Sequence, residues 1–331
     1  GNGTDLLGLA VDGTKATPIS DLIVDGNTLH DLTLGQSESL PINGNVTRWQ
    51  VTRNTIYAND NIGIDAIGLE KTAPVDDQAR NGWIADNDIR DTTSSKNPTY
   101  GNEPSAGGIY VDGGTRITIE RNSVSGADIG VELASEHKAR ITSQVLVRDN
   151  VIRDSIVTGL SMGGYKSAAG GTTSCTVINN TFFNNDTSAS GSGELQIQYN
   201  AENNLVANNI FHTGDQGLFL NSTVKDTRKT ATFENNIYFT TADSSAMTWR
   251  WKGVEYSTLA SFERASKASV RGLVADPRFV GTGKQPLAIS TGSPAVAYGA
   301  DKGAAVQGPL DQAGSPRLAS DGSIDAGALQ H

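Results

Sequence analysis

In 331 residues the chain has a single cysteine, Cys175. No internal disulfide can form, so a small disulfide-stapled scaffold is excluded. The sequence also lacks an unbroken apolar run of the roughly 18 residues a membrane-crossing helix needs, and nothing in it reads as a transmembrane helix. Few stretches carry the periodicity of an amphipathic helix, which argues against a helical class. Basic residues are in deficit: 26 Lys and Arg stand against 36 Asp and Glu, a formal net charge of -10. Phosphate-binding surfaces are basic, so this balance excludes a nucleic-acid partner. It also disfavours a strongly anionic polymer, unless a local basic patch overrides the average. No signal peptide opens the chain, and the start at Gly1-Asn2-Gly3 without Met predicts a processed or truncated N-terminus.

What is abundant is turn chemistry. The 37 glycines, with frequent Asn, Thr, Ser and Asp, predict an all-β chain. One asparagine recurs in the pattern apolar, x, apolar, x, x, Asn, x, apolar. The central part of this pattern fits Val24 to Asn27, Val51 to Asn54, Ile84 to Asn87, Ile119 to Asn122, Val147 to Asn150, Val177 to Asn180, Val206 to Asn209 and Phe233 to Asn236. The asparagines are spaced by 27, 33, 35, 28, 30, 29 and 27 residues. A period in this range belongs to solenoids or propellers, and short period-two strands within each unit exclude the helical solenoids. The reading is a right-handed parallel β-helix in which each repeat is one coil and coils stack at about 4.8 Å. Val24, Val51, Ile84, Ile119, Val147, Val177, Val206 and Phe233 are then expected to form one buried column. The asparagines form a structural ladder, expected to tolerate left-handed backbone at a corner and to hydrogen-bond the Asn above and below.

Gly8 to Gly13 already resembles the later strand Gly108 to Gly113, so the chain begins inside the coil stack. Solenoid ends need a polar cover, which predicts an upstream segment or another chain over the coil of Leu9 and Val11. Coils carrying the site are assigned to residues 1–240. Residues 241–331 are assigned to the last coil and a C-terminal cap lying along the solenoid, with a short amphipathic helix within Val254 to Ser269.

Three strands dominate the middle: Gly108 to Asp112, Gly130 to Lys138 and Gly159 to Lys166. Aligned by period, the first outward position holds Pro41, Asp65, Tyr110, Glu132, Ser161, Gln196 and Phe219. The second holds Asn43, Ile67, Asp112, Ala134, Gly163, Gln198 and Asn221. Beyond the strand ends come Glu70 and Lys71, then Glu136, His137 and Lys138, then Tyr165 and Lys166. Outward charges on a coil are ordinarily solvated, but Asp65, Asp112, Glu132 and Glu136 within a few coils repel one another and raise their pKa values, a cost usually found where function needs it. Wide repeat spacings place insertions at Glu70 to Arg80 and Thr92 to Ser105, expected as groove walls. Tyr199, Phe219, Trp249 and Trp251 are the expected sugar-stacking platforms.

The repeat and the C-terminal pattern together resemble the right-handed parallel β-helix proteins of the pectate-lyase-like superfamily. That resemblance implies a secreted enzyme binding a polysaccharide across the coil face, and similarity to its uronate lyases implies a Lys, Arg, Tyr or His base with a uronate neutralised by Ca²⁺ or a basic side chain. The expected catalytic set is Tyr110, Asp112, Glu132, His137 and Lys138. Asp65, Arg140, Tyr165, Lys166, Gln196, Gln198 and Tyr199 are expected to bind substrate, and Asp112, Glu132 and Glu136 are the oxygen ligands for a Ca²⁺ ion. The lyase reading ranks first. Its rival is hydrolysis by Asp65 or Asp112 with Glu132, which the stacking distance places about 9.6 and about 8 Å apart, near the roughly 6.5–9.5 Å of inverting glycosidases. A non-catalytic sugar-binding β-helix is the third reading.

Overall fold

The computed structural model describes residues 6–225 and 228–331. Its chain winds through three sheets, and each strand pairs with the equivalent strand of the next coil. The first sheet contains Val11–Gly13, Leu40–Gly44, Ile64–Ile67, Gly107–Asp112, Ile129–Ala134, Thr158–Met162, Leu195–Ile197, Leu218–Asn221 and Thr248–Trp251 in that order. Every pairing among these is parallel. Parallel crossovers of this kind wind right-handed. The expected inner column forms as one unbroken register in the second sheet, from Val24 opposite Val51 to Val206 opposite Phe233, and all eight members are buried.

The ladder also forms. The backbone N and Nδ2 of Asn122 both donate to Oδ1 of Asn150, at 2.9 and 3.0 Å. Asn150 does the same to Asn180, at 3.0 and 2.9 Å, and the motif repeats from Asn27 through Asn236. Nδ2 of Asn150 also donates to the Ile119 carbonyl one coil back. Each rung thus ties a corner to the coils on both sides. One expectation needs correction: the left-handed residue is the one before the ladder asparagine, as at Asp86, Asp149, Asn179, Asn208 and Asn235. The corner turns there, which leaves the following Asn in ordinary geometry with its amide pointing inward. Asp and Asn are among the side chains that enter this region most easily.

At the start, Leu9 and Val11 pack against the core while remaining half-buried. Towards the other end, the first sheet slips. Leu195 pairs with Leu220 and Gln196 with Asn221, and an irregularity follows between Leu218 and Leu220. The slip corrects the assignment of Phe219, Trp249 and Trp251 as sugar platforms: all three are buried. They pack with Phe233 and with Phe262 of the helix Leu259–Ser266. This helix is shorter than expected, because Val254–Tyr256 instead forms an antiparallel strand on Trp249–Trp251. Large rings are used to close the core where the coils end, which gains more by burial than exposure would. The remaining C-terminal segment lies along the coils. Arg317 reaches Asp149 at 3.1 Å in a fully buried ion pair and also donates to the Asp325 and Gly327 carbonyls.

Replacing Asn150 by Ala removes the acceptor for two buried Asn122 donors and two carbonyl partners of its own amide. Asn122 Nδ2 keeps the Ile84 and Glu120 carbonyls. The Asn122 backbone N–H is therefore the buried donor left without a partner, a loss of about 1–3 kcal/mol to which the carbonyls freed of the Asn150 amide add. The variant is expected to lose about 2–4 kcal/mol in urea denaturation, and a loss below about 0.5 kcal/mol would show that the ladder is not holding the corner.

Candidate functional site

The parallel register places Pro41, Asp65, Tyr110, Glu132, Ser161 and Gln196 in one outward column of the first sheet. Asn221, not Phe219, continues it. Asp112 stands two residues after Tyr110 on the same strand, in the neighbouring column opposite Ile67 and Ala134. Tyr110 is therefore framed by three carboxyl groups: Asp65 one coil before, Glu132 one coil after and Asp112 alongside.

This face is not the wet surface that alternation alone predicts. Asp65 is 2% exposed, Asp112 4% and Tyr110 7%, while Glu132 is half-buried. Inserted chain covers them. Tyr110 packs with Ile62, Ala106 and Ala134. The 92–105 insertion folds back along the stack, where Asn97 donates to the Gly35 and Asp60 carbonyls and Asn61 donates to the Tyr100 hydroxyl. On the opposite wall, the His137 ring stands 3.4 Å from Glu70, a contact that links two coils above the floor.

Burial and mutual repulsion set the electrostatics. Burial is the main cause that pushes Asp65 well above the usual carboxylate range, and the charges of Glu38, Asp112, Glu70 and Glu132 add to it. Burial likewise pushes Asp112 up to about 8, although the Glu136 backbone N–H donating to its Oδ1 at 3.0 Å opposes this. Glu132 is pushed up to about 8 by burial, then by Asp112 and Glu136. The Tyr110 phenol is driven further up by its burial and by the same carboxylates. Among the described residues, none of Asp65, Asp112 and Glu132 has an ion-pair partner, and Oδ1 of Asp65 is buried without a hydrogen bond. Glu194 makes the contrast clear. It is as buried and is also pushed up to about 8, but Asn185 donates to both of its oxygens, at 3.0 and 2.6 Å. Glu194 is thus a hydrogen-bonded member of a corner, a satisfaction that Oδ1 of Asp65 lacks.

The other expected site residues lie around this floor. Lys138 and Arg140 are exposed on the loop after Ala134, with Glu136 exposed beside them. Tyr165 is exposed on the next coil, and the Lys166 ammonium sits 4.7 Å above its ring. Ser161 donates to Gln196 at 3.4 Å, and Gln196 in turn accepts from Gln198 and donates to Ser192, so the column continues as a polar track towards Tyr199 at its edge. Asp112, Glu132 and Glu136 border one floor, yet among the described residues no three carboxylate, imidazole or thiol groups meet as a metal-holding set. The donor arrangement therefore does not fit a Ca²⁺ centre at those three residues. Sequence reasoning missed Glu38 and Tyr100 as part of this surround. Neither belongs to a repeating column; the only signal for Tyr100 was its place inside the widest insertion.

Residues 106–261 match the family model described as the right handed beta helix region. "Uncharacterized protein YwoF" of Bacillus subtilis (strain 168) is 38% identical over 272 residues, which are 82% of this chain and 58% of that protein. The chain thus spans little more than half the length of that relative. Among solved structures, the pectate lyase Pel9A aligns over 94% of this chain and 73% of its own, with 12% identity and a TM-score of 0.48. A tailspike protein mutant of E. coli bacteriophage HK620, solved with a pentasaccharide, aligns over 75% and 42%, with 16% identity and a TM-score of 0.41. These two likenesses are weak and concern the winding alone. On its own coil register and on the match over residues 106–261, the chain is a right-handed parallel β-helix, the fold that its resemblance to the pectate-lyase-like superfamily implied.

Proposed function

We propose that the chain hydrolyses a glycosidic bond of a polysaccharide laid across the first sheet, with Glu132 as general acid and Asp112 as general base. The observation that carries this reading is the cluster of three carboxyl groups, none of which has an ion-pair partner among the described residues, two of them pushed up to about 8. A carboxylic acid that keeps its proton at neutral pH can give it to a leaving-group oxygen. Glu132 is the half-buried member and so the one a bound sugar reaches. Once Glu132 holds the shared proton, Asp112 ionises more readily, since coupled acids lose protons in steps. Asp112 then takes a proton from a water that attacks the anomeric carbon. Diagonal neighbours on paired strands stand about 7–8 Å apart, which falls within the roughly 6.5–9.5 Å that leaves room for that water and inverts the anomeric centre. Asp65 keeps the floor acidic, and Gln196, Gln198 and Tyr199 extend it as a track for neighbouring sugars.

The ranking of elimination above hydrolysis is reversed by this reading. A Tyr110 phenol driven upward by burial keeps its proton and is a poor base. The exposed rim cations Lys138, Arg140 and Lys166 still favour an anionic chain, so elimination keeps a specific, if smaller, support.

Two outcomes are expected. On a panel of neutral and uronate polysaccharides, new reducing ends should appear without the absorbance of an unsaturated product, and Glu132→Gln should lower kcat by about 10²- to 10⁴-fold. Unsaturated ends would instead assign a lyase with its base on the rim. Stability should depend on pH in a defined direction. A carboxyl whose folded pKa is raised contributes stability that is fully present below its unfolded value of roughly 4 and is lost as pH rises through its folded value near 8. The melting-temperature advantage of Asp112→Asn over wild type should therefore grow from pH 4 to pH 9, and a constant difference would contradict the raised pKa.

A further inference from the structure

The third sheet carries a second outward column that the acidic site does not use. His30, Tyr57, Arg90, Ser125, Arg153, Phe183, His212 and Phe239 follow one another in strict register over eight coils. At a rise of about 4.8 Å per coil this is a line of rings and guanidinium groups interrupted only by Ser125. His30 stacks on Tyr57 at 4.9 Å, and Arg90 lies over the other side of Tyr57 at 5.2 Å. At the far end the C-terminal segment leans over the column and leaves a cleft of about 620 Å³. Phe183, His212 and Phe279 face one another there at 4.6, 6.0 and 5.7 Å between ring centres, with Phe239 5.0 Å from His212.

The cleft has an apolar floor and a polar rim supplied by Arg153, Thr241, Asp276 and Arg278. His212 is only 8% exposed, and its Nδ1 is buried without a hydrogen-bond partner. Burial lowers its pKa, so a neutral ring is available to a ligand. Aromatic faces around a His212 ring whose Nδ1 has no hydrogen-bond partner give the cleft the mostly apolar lining with a few polar groups that ligand sites have. The ligand it fits has a flat apolar face to lie on rings and a hydroxylated edge to meet the rim. A pyranose ring has both. The coil rise is also close to the length of one sugar residue, so successive sugars along the column would meet successive side chains. Arg153 and Arg278, standing out on a chain of net charge -10, add contacts for a carboxylate on such a sugar.

We propose that this cleft is a second carbohydrate-binding site, anchored by Phe183, His212, Phe239 and Phe279, and that an acidic oligosaccharide occupies it more tightly than a neutral one. It is separate from the acidic floor of the first sheet and does not depend on the chemistry there.

The four histidines make the test direct, because His212 reports this cleft and His137 reports the first sheet. Ring resonances of the Glu132→Gln chain are followed by NMR during titration with a galacturonate tetramer and, separately, a neutral xylose tetramer. His212 should shift saturably with both and at lower concentration with the galacturonate. Phe239→Ala, at a half-buried position, should weaken the His212 response about tenfold, and exposed Arg278→Ala should remove the preference for the acidic sugar while His137 behaves as before. A His212 signal that stays fixed at millimolar concentrations of both tetramers, in a protein whose other resonances remain folded, would overturn the proposal. So would a shift that Phe239→Ala leaves intact.

Discussion

Parallel hydrogen bonding between coils at a fixed register is the constraint on which the rest of this molecule depends. Once Ile84 sits on Val51 and Ile119 on Ile84, every other residue of those coils has its height set. The asparagine ladder locks that height at one corner, since each rung binds both the backbone and the side chain of its neighbour. Side-chain columns are therefore not chosen one residue at a time. A coil that brings Tyr110 onto Asp65 also brings Glu132 onto Tyr110.

The same constraint accounts for the acidic floor. Stacking forces like charges within a few ångströms of one another, and water would normally relieve the repulsion. Here Asp65, Asp112 and Tyr110 are almost entirely withdrawn from water, so that relief is largely missing. The result is a group of carboxyl side chains that are more stable with protons than without, and this is a state useful to acid–base chemistry and of no evident use to the fold. Glu194 shows that the fold can bury a carboxyl group harmlessly by giving both oxygens a donor. At Asp65 it did not do so.

Much of this was legible before any coordinates. The ladder and the inner column followed from one recurring asparagine, because a solenoid repeats its sequence as it repeats its geometry. The neighbourhood of Tyr110, Asp112 and Glu132 followed from strict alternation. What was not legible came from the places where the repeat is broken. Phe219 lies next to an irregularity of register, so counting by two put it on the wrong face. Trp249 and Trp251 turn inward because the last coils must close a core, a demand that has no counterpart in the middle of the stack. Tyr100 and Glu38 come from loops outside any column, and the depth to which those loops bury Asp65 depends on tertiary packing that periodicity does not encode. The outward line from His30 to Phe239 is present in the same repeats, three residues beyond each ladder asparagine, but the residue type there changes from coil to coil, so no single recurring residue marks it.

Two faces of one solenoid thus carry different chemistry. The first sheet gathers carboxyl groups under a cover, and the third gathers rings and guanidinium groups along an edge. The central claim is that the carboxyl groups of Glu132 and Asp112 titrate near pH 8, so that Glu132 holds a proton at neutral pH while an ionised fraction of Asp112 serves as base. Carbon-13 NMR titration of labelled Asp and Glu side chains measures this directly. The account predicts two carboxyl signals that titrate near pH 8, one lost in Glu132→Gln and one in Asp112→Asn. If every carboxyl group titrates at roughly 3 to 5, as in model peptides, the account is wrong.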